Sequence, residues 1–311
     1  MAERDAALVA VGPVPDAQLE EAVLRGGASL SPLDSARALV WRGGPDGFPD
    51  PLPRHVEWVQ LPSAGVERWF AAGLIPQDTH ATWTSAAGVY APQVAEHALT
   101  LLLAGVRALP THFAATSWNS DPAVVDSVHT LRGSTVGIVG AGGIGRALIP
   151  LLAALGADVV AVNRSGSPVP GALETLPTSR IDELWPRVDH VVVAAPATTA
   201  THHIVNAHAL DSLKPTSWVV NIARGPLVDT NALVDALAAG TIGGAGLDVT
   251  DPEPLPDDHP LWSLPNAIVT PHVANPPAMH SRAYADFVAR NVAHFVHGDE
   301  LSARIDPVAG Y

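Results

Sequence analysis

Residues 136–145 read VGIVGAGGIG, and the fold turns on them. They contain Gly140-x-Gly142-x-x-Gly145, placed after an apolar run at 135–139 and at the opening of a helical pattern at 144–155. A second β-type run follows at 158–162, and this strand–turn–helix–strand setting is what makes a glycine triplet a dinucleotide fingerprint. Each glycine has a task. Gly140 permits the tight turn, Gly142 lets the backbone approach a pyrophosphate, and Gly145 lets the helix lie close to the sheet. The pyrophosphate then rests on the first turn of the helix, with Gly143 and Ile144, where free N–H groups and the helix dipole favour an anion. The loop holds no lysine of the Walker kind, which sets an ATPase aside.

Outward from this loop the same rhythm continues. Strand patterns recur at 189–194, 217–222, 243–248 and 267–270, with helical patterns at 181–185, 208–213 and 231–239 between them and a last one at 281–297. Residues 165–177 are rich in proline, glycine and serine and interrupt the alternation. Ahead of the loop, residues 6–11, 36–41, 56–61 and 80–84 read as strands, and 13–26 and 66–73 as short helices. A longer helix covers 92–109, with Pro92 harmless in its first turn and Pro110 just beyond its end. Residues 111–131 read as a connector. Strand–helix alternation throughout predicts an α/β protein: a doubly wound parallel sheet in the second half and a smaller α/β unit in the first hundred residues.

Composition excludes several classes. The chain has 311 residues, 47% of them apolar and 15% charged, enough for two sizeable cores. Without cysteine it has no disulfide, zinc ribbon, iron–sulfur cluster or thiol chemistry. With 31 acidic against 17 basic residues the formal charge is −14, and Lys214 is the single lysine. A field of that sign repels nucleic-acid phosphates and anionic lipid. The start, MAERDAALVAVG, lacks the basic flank of a signal peptide, and the apolar stretch 98–106 is too short to span a bilayer. A soluble, cytoplasmic protein is expected. No metal site is expected: the 14 histidines include no HExxH spacing.

At the end of the second strand of the fingerprint an NAD site places a carboxylate for the ribose 2′-hydroxyl. Here Asn163, Arg164 and Ser165 stand instead. A guanidinium and a hydroxyl bind a 2′-phosphate that a carboxylate would repel, so NADP(H) is favoured and NAD(H) is second. The alternative for Arg164 is a place over the adenine or in solvent.

Three further residues end strands of the large unit or lie in the loops after them: Arg224 in NIARG, Glu253 after GLDVTDP, and His272 in TPH. The carboxyl ends of strands line the ligand crevice of a doubly wound sheet, so the three converge although they are far apart in sequence. A histidine oriented by a glutamate is a proton donor, and an arginine beside it grips a carboxylate in bidentate fashion. Singly, each has a structural reading: a salt-bridge arginine, a loop acid, a turn histidine.

Together these segments resemble the D-isomer-specific 2-hydroxyacid dehydrogenase family over nearly the whole chain. The similarity starts at Leu61-Pro62-Ser63-Ala64-Gly65-Val66 and runs through Val94-Ala95-Glu96-His97, the glycine loop and Val219-Val220-Asn221-Ile222-Ala223-Arg224-Gly225. It continues in Gly246-Leu247-Asp248-Val249, Glu253-Pro254 and Thr270-Pro271-His272-Val273-Ala274. The resemblance implies a Rossmann nucleotide-binding domain at residues 99–277 and a flavodoxin-like substrate domain from residues 1–98 and 278–311, with a cleft between them. It implies Arg224 on the substrate carboxylate, His272 as acid/base with Glu253 as its partner, and the backbone of Ala64, Gly65 and Val66 as further carboxylate donors. Ile222, Ala223 and Asp248 would hold the nicotinamide carboxamide, with Ala195, Pro196, Thr201 and Ala274 along the cofactor. A homodimer through the segment around residues 99–131 is also implied.

Within the family the chain looks most like the short bacterial NADPH-dependent glyoxylate/hydroxypyruvate reductases. The Arg164–Ser165 pair, the 19 residues from Glu253 to His272 and the terminal Gly310–Tyr311 carry that likeness. After His272 the family often continues Ala-Gly and then Thr, whereas Ala274-Asn275-Pro276-Pro277 stands here. In the resemblance these residues, Asn275 among them, would follow the acid/base histidine and touch the substrate side chain, leaving room for an acid bulkier than glyoxylate. Relatives often have a polar residue before Pro196 where this chain has Ala194-Ala195. Two other readings stay open: an NAD-linked enzyme of the D-lactate or phosphoglycerate type, and a non-enzymatic, corepressor-like sensor of nicotinamide nucleotides.

Overall fold

A computed structural model of the chain describes residues 7–118, 121–308 and 310. The first six residues of the N-terminal stretch and Tyr311 lie outside the described part. The chain divides into two compact units, one running to Tyr90 and resuming at Pro277, the other spanning Ala91–Pro276.

The smaller unit is built on a parallel sheet of five strands, β1 (Leu8–Gly12), β2 (Ser29–Leu30), β3 (Ala38–Trp41), β4 (Trp58–Gln60) and β5 (Thr82–Thr84), in the order β2-β1-β3-β4-β5. Every residue of β3 and β4 is buried, as expected of parallel strands covered on both faces. Helix α1 (Ala17–Arg25) starts at Asp16, whose carboxylate accepts the N–H groups of Gln18 and Leu19 at 3.0 Å. Its inward face is Leu19, Ala22 and Val23. Helix α2 (Glu67–Ala71) follows β4 and seats Trp69 in the core with Phe48 and Trp83.

The larger unit opens with α3 (Ala91–Val106), α4 (Leu109–Ala114) and α5 (Pro122–Asp126). The sequence expectation of one helix to residue 109 differs from this. Ala108 adopts φ +50°, which ends α3, and Pro110 falls in the first turn of α4 in place of lying beyond the helix. There follow β6 (Thr135–Val139), α6 (Gly143–Ala154), β7 (Asp158–Asn163), β8 (Glu174–Pro177), β9 (His190–Val193), α7 (Ala207–Ser212), β10 (Trp218–Asn221), α8 (Thr230–Ala239), β11 (Gly244–Leu247) and β12 (Ala267–Val269). All seven strands are parallel, in the order β12-β11-β10-β9-β6-β7-β8. Strand β8 lies inside the stretch read as a break. It is an edge strand paired only with β7 and closed by Pro177, a place where a missing N–H costs no ladder bond.

Connections leave the centre of this sheet in opposite directions: β6 leads to β7 on one side, while β9 starts the other half. That reversal between β6 and β9 is the switch point at which doubly wound sheets bind ligands, beyond the carboxyl ends of the strands. Valines of β6, β7, β9 and β10 (Val139, Val160, Val191, Val219) form the middle of its core.

The last helix, α9 (Pro277–His297), belongs to the smaller unit and packs on α1. A Cβ on Gly26 would stand 2.6 Å from the Val292 side chain, so only glycine allows this approach. Asn291 donates to Gln60 Oε1 at 2.9 Å, and the Tyr284 hydroxyl donates to the Trp41 carbonyl at 3.0 Å.

Candidate active site

The glycine loop joins β6 to α6 at the switch point. Gly140 has φ +97°, and a Cβ there would lie 2.4 Å from the Ala195 backbone, which brings the end of β6 against the residue following β9. The N–H groups of Gly140 and Ala141 both reach the Val162 carbonyl, at 2.9 and 3.1 Å, and tie the loop to β7. A Cβ on Gly145 would stand 3.0 Å from Gly140 O and 3.1 Å from Ile138, so α6 sits directly on the strand. Gly142 and Gly143 are exposed, and nothing lies within 4 Å of the Cβ position of Gly142. The loop thus combines two close backbone approaches with open space at a helix N-terminus, a cradle of the kind a dinucleotide pyrophosphate fits.

Beyond β7, Asn163 shapes the next turn. Its Oδ1 accepts the N–H groups of Ser165 and Gly166 at 3.1 and 2.6 Å, and its Nδ2 donates to the Ser167 carbonyl at 2.7 Å. Asn163 is therefore occupied within its own loop, where Arg164 and Ser165 are among the exposed residues. Thr201 is similarly occupied: its hydroxyl donates to the Pro196 carbonyl at 2.7 Å and accepts the Thr198 N–H at 2.9 Å.

Buried Asn221, at the end of β10, folds the segment that carries Arg224. It accepts the Ala223 N–H at 3.1 Å and donates to the Arg224 carbonyl at 2.9 Å. Arg224 is half-buried, with Nη1 2.6 Å from the Ala223 carbonyl. Glycine has to follow it, because a Cβ on Gly225 would fall 1.9 Å from the Thr250 carbonyl oxygen. From the other side of that contact, the loop after β11 brings Glu253 to His272, with Oε1 2.7 Å from Nδ1. Nδ1 carries its hydrogen toward the carboxylate, which leaves Nε2 as the working nitrogen. Both side chains are about half exposed.

Asp248, at the end of β11, is buried and fully engaged. Its Oδ1 accepts the Thr270 hydroxyl at 2.6 Å and the Val273 N–H at 2.9 Å, while Oδ2 accepts the Ala274 N–H at 2.9 Å. His97 Nε2, arriving from α3, lies 3.3 Å from Oδ1 and 3.1 Å from Thr270 Oγ1. Burial pushes the Asp248 pKa up, but the bonds from His97, Thr270, Ala274 and Val273 outweigh it and bring the pKa down to about 2. The segment bearing His272 is thus wrapped round a permanent carboxylate. Reading the sequence assigned no role to His97 or Thr270. Both sit inside the quoted segments, and only their meeting at Asp248 singles them out.

Two expectations concern other places. The N–H groups of Ala64, Gly65 and Val66, between β4 and α2, donate to no acceptor among the described residues, which leaves three donors of the kind a carboxylate takes. Among the described residues, none is a hydrogen-bond partner for the buried Oδ1 of Asn275. Among the described residues no group of histidines and carboxylates could hold a metal ion, and no helix is long and apolar enough to cross a membrane.

Comparison with known proteins places this geometry. The family profile described as D-isomer specific 2-hydroxyacid dehydrogenase, NAD binding domain, matches residues 99–274. A protein of Corynebacterium melassecola named only for its position beside proB is 40% identical over 293 residues, 93% of this chain and 95% of its own. The glyoxylate reductase of Thermococcus gammatolerans is 37% identical over 171 residues, 55% of this chain, and the match spans about half (51%) of that enzyme. Among solved structures, a D-isomer specific 2-hydroxyacid dehydrogenase of Xanthobacter autotrophicus in complex with NADPH and MES superposes with a TM-score of 0.82. It has 28% identity and covers 98% of this chain and 99% of its own.

Proposed function

The chain belongs to the D-isomer-specific 2-hydroxyacid dehydrogenase family, an NAD(P)-dependent oxidoreductase acting on a small 2-oxo or 2-hydroxy acid, and we propose that it reduces a glyoxylate- or hydroxypyruvate-like acid with NADPH. The observation that carries this reading is the His272–Glu253 pair at 2.7 Å, set in the same unit as Arg224 and the glycine cradle, all at the carboxyl side of one parallel sheet.

Arg224 binds the substrate carboxylate and fixes the keto carbon. A nicotinamide cofactor held on the glycine loop at Gly140, Gly142 and Gly145 would supply the hydride such a carbon takes. His272, aligned by Glu253, holds a proton at Nε2 and gives it to the oxygen as negative charge develops there, so that the carbonyl becomes a D-hydroxyl. Asn275 supports a substrate with a hydroxyl on C3, since its buried Oδ1 lacks the donor such a group would provide. NADPH is supported by Arg164 and Ser165, exposed where a carboxylate would otherwise stand.

Absorbance at 340 nm with NADPH and NADH in parallel, against glyoxylate, hydroxypyruvate, pyruvate, 2-oxobutyrate and phenylpyruvate, tests the reading. NADPH oxidation should be fastest with hydroxypyruvate or glyoxylate, and His272→Ala should cut kcat by ~100-fold or more. Preference for NADH would overturn the cofactor, and preference for phenylpyruvate the substrate. No turnover with any acid by folded, nucleotide-binding protein would leave the sensor reading.

A further inference from the structure

His272 sits in an unusual backbone state. Its φ is +53°, in the left-handed region that a side-chain-bearing residue seldom occupies without support. That support converges on Asp248. His272 N–H reaches the Asp248 carbonyl at 2.9 Å and the Thr270 carbonyl at 3.0 Å. Thr270 before it, and Val273 and Ala274 after it, all donate to the Asp248 carboxylate. All five of these bonds come from the segment's own residues, and four of them end on Asp248. The remaining donor, His97 on α3, comes from 173 residues away in sequence.

The hydrogen on His97 has one arrangement compatible with its neighbours. Thr270 gives its hydroxyl hydrogen to Asp248 at 2.6 Å, so its oxygen can only accept from His97. Asp248 is a carboxylate and also only accepts. His97 therefore carries a hydrogen on Nε2, forked between Thr270 Oγ1 and Asp248 Oδ1. The other tautomer would set a nitrogen lone pair against the carboxylate.

We propose that His97 is a positioning residue for His272, its Nε2–H anchoring the Asp248–Thr270 pair to α3 and so holding the residue 270–274 segment in the conformation that aims the His272 ring. This rests on His272 being the proton donor of the proposed reaction. Among the described residues, the groups that the His97 ring meets here are Asp248 and Thr270. Loss of the anchor leaves Asp248 with one donor fewer and frees the segment to relax from φ +53°. A shift of about 1 Å in a reacting group costs on the order of 100-fold in rate, so the loss is expected in kcat and not in binding.

The test compares wild type, His97→Leu, His97→Gln and Thr270→Val as full-length protein. His97→Leu is expected to lose ~10- to 100-fold in kcat, with KM for the oxo acid and the calorimetric Kd for NADPH within about twofold of wild type. His97→Gln, whose amide N–H reaches the place of Nε2, should recover most of the loss. Thr270→Val removes the other arm of the fork and should match His97→Leu, and it serves in its place if the leucine variant does not fold. Titration of the His272 Cε1–H resonance by NMR gives a readout that does not need turnover. Its midpoint should move in His97→Leu and return in His97→Gln. An unchanged midpoint and unchanged kcat, or a glutamine variant as impaired as the leucine one, would overturn the proposal. A moved midpoint in a protein that turns over no oxo acid would uphold the positioning role while the proposed reaction itself fell.

Discussion

Arg164 owes its prominence to a neighbour. Asn163 spends its carboxamide on the N–H groups of Ser165 and Gly166, and the arginine between Asn163 and Ser165 stands exposed beside a serine hydroxyl. A 2′-phosphate offers these groups charge-assisted bonds, and a 2′-hydroxyl does not. Arg164→Ala should therefore raise KM for NADPH by ~10-fold or more and leave KM for NADH nearly unchanged. Equal effects on both cofactors, measured at fixed oxo acid, would remove the 2′-phosphate role.

Strands β9 and β10 meet through a side chain as well as through their ladder. His190, 4% exposed, takes the Trp218 N–H on Nδ1 at 3.2 Å. Burial is the main cause that lowers its pKa from 6.5 to about 4, with Asp189 pulling the other way and His129 and Lys214 adding to the fall. Between these values the unfolded chain binds a proton that the folded chain refuses. The stabilisation is complete above pH 6.5 and is lost as the pH falls through about 4, on the order of 3 kcal/mol. The melting temperature of wild type should thus decline from pH 6.5 to 4. His190→Asn, which keeps an acceptor near the Nδ1 position, should flatten that decline; parallel curves for the two proteins would refute it. Asp248 acts in a lower window. Its depressed pKa contributes stability above about 3.8 that is lost as the pH falls toward 2.

At the scale of the whole molecule, helices α4 and α5 bury none of their residues. Phe113, Trp118 and Val125 are 80%, 96% and 54% exposed, an apolar set unusual for a protein surface. All three lie in the segment around residues 99–131 through which the family resemblance implies a homodimer. Light scattering after gel filtration should give twice the chain mass for wild type, and one chain mass for Phe113→Ser, Trp118→Ser and Val125→Ser combined. A monomeric wild type would sink the idea. Much of the fold is legible in the sequence. Strand–helix alternation and three glycines in VGIVGAGGIG determined a doubly wound sheet, because backbone approach and parallel burial act through local residue types. Arg224, Glu253 and His272 were readable as candidates for a related reason, since the end of a parallel strand has a known place in such a sheet. Strand β8 was hidden because an edge strand makes few demands on its sequence, and the break at Ala108 because a positive φ on alanine leaves no mark in composition. Only the tertiary structure decided that Thr270, Val273 and Ala274 all donate to Asp248 and that His97 meets Asp248 and Thr270 there. Those contacts are made between residues distant in the chain, and no local pattern encodes a distance in space.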